Sequence, residues 1–136
     1  AAVRNGAYIL ADADGASPDL VLIATGSEVG LAMDVKKILD AKGVRTRVVS
    51  MPCWELFDEQ PQSYRDEVLP PAVGARMSIE AGATLGWAKY VGDRGFAFGI
   101  DKFGTSAPAA AIAKAYGFTP DNLADLALQK FSLAAH

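Results

Sequence analysis

The stretch 19–29, DLVLIATGSEV, decides the fold. Its first half holds Leu20-Val21-Leu22-Ile23-Ala24, an apolar run that never alternates with polar residues. An extended chain of that kind needs cover on both faces, which is the condition of a parallel strand between two layers of helices. The second half turns at Gly26, where the missing side chain permits a tight bend, and Ser27 then offers a hydroxyl to cap a helix. Glu28 adds negative charge where the helix dipole favours it. Ligands in such folds bind at the carboxyl ends of the strands, so this turn is the first place to look for a site.

Working outward, Leu31, Ala32, Val35, Ile38 and Leu39 recur at helical spacing, with Asp34, Lys37 and Asp40 facing elsewhere. Gly43 suits the position just past a helix end, and Val44 can supply the apolar contact of a Schellman motif. Residues 44–50 follow as a strand, completing a β-α-β unit of expected right-handed connection. Upstream, residues 7–10 form a short strand, joined to the apolar run only by a turn carrying Asp12, Asp14, Gly15 and Pro18. No helical crossover fits there, so this strand is expected to run antiparallel at an edge.

Downstream, residues 54–60 suggest one helical turn. Residues 62–69 suggest a short helix stopped by Pro70-Pro71. The segment 72–80 reads as a strand with Val73, Ala75, Met77 and Ile79 on one face, and 96–100 as another. Ser106 and Pro108 open a helix with the stripe Ala109, Ile112, Ala113 and Tyr116. Thr119 and Pro120 open the last one, whose packed face is Leu123, Leu126, Ala127 and Phe131. The expected fold class is α/β. Its architecture is a three-layer α/β/α sandwich on a mostly parallel sheet of about five strands, with one antiparallel edge strand.

With 136 residues the chain is sized for one domain, residues 1–136. A formal charge of -3 with interspersed signs gives no nucleic-acid footprint. No apolar run reaches transmembrane length, and residues 1–15 do not read as a signal peptide. Cys53 is the single cysteine, which fits the cytoplasm. The single histidine, His136, is the last residue. An internal histidine-based acid–base site is thereby excluded, as is a metal site needing two histidines.

Each candidate site has two readings. Thr25, Gly26 and Ser27 offer hydroxyls and backbone N–H groups to an anion at a helix start, or Ser27 simply caps that helix. Capping is favoured, because Glu28 would repel a phosphate and neither the dinucleotide nor the P-loop glycine pattern is present. Glu80, at a strand end, is a general base or, preferably, the partner of Arg76, of a backbone N–H or of another domain. Lys102, Phe103 and Ser106, in the loop after the fifth strand, contact a phosphate or, preferably, a partner domain. Cys53 is read as a packed thiol, since no internal histidine can serve as its base. Trp54, Phe57, Tyr64, Trp87, Tyr90 and Phe103 are many aromatics for short helices and loops; they fill the core or mark an interface.

Six segments together carry a family resemblance: IATGSEV (23–29), VVSMPCWELFDEQ (48–60), YRDEVLPPA (64–72), IEAG (79–82), GIDKFGTSAP (99–108) and YGFTP (116–120). In this order, over nearly the whole chain, they resemble the C-terminal domain of transketolase. The resemblance implies a fragment of a larger chain that contributes structural contacts to two other domains of the enzyme and to a second subunit of a homodimer. The full enzyme would transfer a two-carbon ketol unit between sugar phosphates, using thiamine diphosphate and a divalent metal, Mg or Ca. The metal–diphosphate motif, the cofactor-activating glutamate and the substrate-binding histidines of the family are missing here. No catalytic residue, cofactor or metal ligand is therefore assigned to this chain, and the domain alone is expected to be inactive. The alternative is a small-anion or regulatory module built on Thr25-Gly26-Ser27.

Overall fold

The computed structural model describes residues 2–13, 17–26, 28–80, 88–92, 94–99 and 119–131. After a 3-10 turn at Ala2–Asn5, the elements are β1 (Tyr8–Ala11), β2 (Leu20–Ala24), α1 (Glu28–Ala41), β3 (Thr46–Ser50), α2 (Trp54–Asp58), α3 (Gln62–Val68), β4 (Arg76–Glu80), α4 (Ala88–Val91), β5 (Phe96–Gly99) and α5 (Pro120–Lys130). The five strands form one sheet in the order β1-β3-β2-β4-β5. Every neighbouring pair is parallel except β1–β3, so the edge strand is antiparallel as its turn connection requires.

The sheet separates two cores, and β2 feeds both. Leu20, Leu22 and Ala24 face Ala32, Val35 and Leu39 of α1 and Leu123, Ala124 and Ala127 of α5. Val21 and Ile23 face the other way, into a cluster with Val49, Met51, Phe57, Val68, Tyr90 and Val91. All five β2 residues have no solvent exposure. Each fully buried Val, Leu or Ile contributes about 1.5–3 kcal/mol, so this strand alone anchors both layers.

Helix ends follow the expected chemistry. Gly43 takes φ +82°. Its N–H donates to Asp40 O at 3.0 Å and that of Val44 to Leu39 O at 3.0 Å, the two bonds of a Schellman motif. Val44 and Leu39 meet in the first core. The Thr119 side chain accepts from the Asn122 N–H at 3.3 Å, and Pro120 is the first residue of α5.

The expected strand 72–80 is shorter than its sequence pattern. The Val73 N–H donates to Pro70 O, closing a turn, and β4 starts only at Arg76. Val73 therefore joins the second core while Met77 and Ile79 face the first. The expected helix around Ser106–Tyr116 lies outside the described residues.

Two arginines act as clamps. Arg47 in β3 is 9% exposed. It forks onto Asp12 (2.8 and 3.3 Å) and reaches the carbonyls of Glu67 (2.9 Å) and Val68 (3.3 Å). Arg76 donates to the carbonyls of Leu69 (3.2 Å), Pro70 (2.8 Å), Val73 (3.0 Å) and Tyr90 (3.0 Å). Together they take the carbonyls of residues 67–70, at and just past the C-terminus of α3, where positive charge also complements the helix dipole. The Arg47 hydrogen bond holds the Asp12 carboxyl below its usual range, and burial pushes the Arg76 guanidinium down.

Ser78 is the contrasting case: its Oγ is buried without a hydrogen-bond partner among the described residues. Two substitutions in β4 should therefore act in opposite directions. Arg76→Ala is expected to lower unfolding free energy by about 2–4 kcal/mol, by stranding partly buried carbonyls. Ser78→Ala is expected to be neutral or to stabilise by up to about 1 kcal/mol, because it removes an unpaid desolvation. Urea-melt midpoints check both.

Candidate functional site at the strand ends

The carboxyl ends of β2, β3 and β4 open onto a crevice of about 290 Å³. It is lined by Thr25, Met51, Pro52, Cys53, Trp54, Glu55 and Glu80. Gly26 beside it takes φ +59°, so glycine is needed there for conformation rather than for space. The N–H groups of Glu28 and Val29 are directed to the carbonyls of Thr25 and Gly26, both at 3.3 Å. Ser27 lies outside the described residues.

The crevice carries two carboxylates, Glu55 and Glu80, and no basic side chain among its described lining. That charge works against an anion at Thr25 and Gly26. Glu55 was not legible as a site residue. The signal for it was the Pro52-Cys53 break, which places the start of α2 at the mouth of the crevice. The Cys53 thiol donates to Glu55 Oε2 at 3.3 Å, and its N–H donates to Gly6 O at 3.0 Å. This is a packed, partly buried thiol with no imidazole near it among the described residues.

Glu80 is half-buried at the crevice. The expected pairing with Arg76 does not occur: the two occupy opposite ends of β4, and Arg76 is engaged by carbonyls. The aromatics divide in the same way. Phe57 and Tyr90 are 3% and 4% exposed and belong to the second core, in line with the first of their two readings, that of core fillers. Trp54 is half-buried at the crevice, its ring 5.5 Å from that of Tyr90. Trp87, Lys102, Phe103 and Ser106 lie outside the described residues.

Tyr90 ties α4 to α2. Its hydroxyl donates to the Asp58 carboxylate (3.1 and 3.2 Å), which also takes Lys89 Nζ at 2.7 Å. Tyr64, edge-on to Phe57 at 6.4 Å, donates its hydroxyl to Ala7 O at 2.7 Å. Among the described residues no three His, Cys, Asp or Glu side chains converge to hold a metal. No nucleophile–base–orienting group constellation is assembled among them either.

Residues 6–119 match the family described as the transketolase-like TK C-terminal domain. The chain belongs to this family. It is 52% identical to the transketolase of Aquifex aeolicus (strain VF5) over 129 residues, 95% of this chain and 19% of that protein. The solved transketolase of Leishmania mexicana superposes with a TM-score of 0.81 at 42% identity, over 98% of this chain and 19% of the other. A Pichia stipitis transketolase solved in complex with sedoheptulose 7-phosphate gives 0.84 at 36% identity, over 96% and 18%. The chain thus spans about a fifth of the length of the transketolases it matches. As in the sequence reading, the sandwich and its antiparallel edge strand are those of a transketolase C-terminal domain.

Burial pushes the Tyr90 hydroxyl above its ordinary pKa, and the Asp58 charge adds to the shift. A folded-state pKa raised above the unfolded one contributes stability that is fully present below about pH 10 and is lost as pH rises beyond it. Tyr90→Phe should therefore flatten the alkaline limb of a stability–pH profile above about pH 10. Thermal melts between pH 8 and 11 read this directly.

Proposed function

We infer that this chain acts as a non-catalytic C-terminal domain of a transketolase, packing against the other two domains of the enzyme and a second subunit of its homodimer. The observation that carries this reading is the match over nearly all of this chain and only about a fifth of each relative. The charge pattern and single cysteine favour work in the cytoplasm. The complete enzyme moves a two-carbon ketol unit between sugar phosphates. Thiamine diphosphate, with a divalent Mg or Ca ion, supplies the carbanion stabilisation of that reaction.

The described residues do not fit that group. The crevice offers Glu55 from the first turn of α2 and Glu80 from the end of β4, with no third ligand converging and no cation facing a diphosphate among the described residues. No step of the reaction is assigned to this chain. Its contribution is mechanical: a rigid sandwich that presents Trp54, Glu80 and the crevice rim as contact surface. The interface role of Trp87, Lys102, Phe103 and Ser106 belongs to the same proposal.

The purified 136-residue chain should show no ketol transfer and no saturable thiamine diphosphate binding by calorimetry. It should co-elute on gel filtration with a transketolase truncated of the matching fifth. Activity in the chain alone, or failure to associate with the truncated enzyme, would contradict the proposal.

A further inference from the structure

The chain enters the sheet through a close backbone contact. Gly6 takes φ +82°, a conformation that side chains rarely adopt. A Cβ there would collide with the backbone of α2 and its cap, at Cys53 O, Phe57 N and the Leu56 carbonyl carbon. Backbone atoms, unlike the end of a flexible side chain, cannot swing aside. The Cys53 N–H donates to Gly6 O at 3.0 Å, so the two segments are bonded as well as packed. Ala7, the next residue, has no solvent exposure, and its carbonyl accepts from the Tyr64 hydroxyl of α3 at 2.7 Å.

This contact bears on the strand-end crevice through α2. The helix has five residues, too few to persist on its own hydrogen bonds. Its far end is tied to α4, where Asp58 takes the Tyr90 hydroxyl and Lys89 Nζ. Its near end has no side-chain cap. There the Cys53 bond to Gly6 sits beside the first helical bond, from the Phe57 N–H to Cys53 O at 3.2 Å. Cys53, Trp54 and Glu55, all at this near end, form one wall of the crevice.

We propose that residues 4–7 are a strap that sets the crevice: displacing the chain ahead of β1 releases the first turn of α2 and moves Cys53, Trp54 and Glu55. The sheet stays intact in that event, because β1 pairs with β3 independently from Tyr8 onward. The device stands whether or not the crevice rim serves as contact surface.

Native-state amide exchange on the 136-residue chain tests the strap. The Cys53 and Phe57 amides should share one opening, faster than that of the β2 amides and independent of low urea, as a local event is. Tyr64→Phe keeps the ring beside Phe57 and removes the bond to Ala7. It should speed both amides by one common factor, about three- to tenfold. Gly6→Ala should speed them more, through strain and collision; if it fails to fold, Tyr64→Phe decides alone. Ile38→Val, against the core on the other face, should speed the β2 amides about two- to tenfold and leave Cys53 and Phe57 unchanged. Cys53 is the single thiol, so its alkylation by iodoacetamide reports the crevice wall directly and should quicken in the same strap variants. Different openings for Cys53 and Phe57, exchange there only with the urea dependence of global unfolding, or alkylation unchanged by the strap variants would each overturn the proposal.

Discussion

The structure depends on one constraint: a central strand with no side that water can reach. Leu20–Ala24 shows no exposure in any of its five residues, and its side chains alternate between two separate cores. Each core has its own helices, α1 and α5 on one face and α2, α3 and α4 on the other. Neither layer can be displaced without exposing β2, so the two layers stabilise each other through it. That coupling is the physical sense in which this is a scaffold.

Polar interactions then fix what burial cannot. Apolar contacts are not directional, and the short helix α3 has no side-chain cap at its N-terminus. Its position is set at the other end, where Arg47 and Arg76 take the carbonyls of residues 67–70. Arg76 also takes the Tyr90 carbonyl, which brings α4 to the same point.

Local physics was legible in the sequence and long-range partnership was not. The uninterrupted apolar run gave β2, the glycine after Lys42 gave the end of α1, and the Thr119-Pro120 pair gave the start of α5. The lack of a crossover between residues 11 and 19 implied the antiparallel edge. Arginine burial left no such trace, because the partners of Arg47 and Arg76 lie up to 35 residues away in sequence. The helix α4 was missed for a related reason: four residues form one turn, held by Tyr90 in the core rather than by any periodic pattern. At the strand-end crevice the sequence put Thr25 and Glu80 at the ends of two strands but hid their convergence with Trp54 and Glu55, and with it the charge that disfavours an anion there. The family resemblance explains the missing chemistry better than any single residue does, since the matched transketolases are about five times as long as this chain.

Native-state hydrogen exchange on the β2 amides tests the central claim most directly. Val21 to Ala24 should exchange only through global unfolding, with protection free energies equal to the full stability of the domain and the same denaturant dependence. Faster, denaturant-independent exchange in β2 than in α1 would show that the two cores open separately, and that the doubly buried strand does not hold them together.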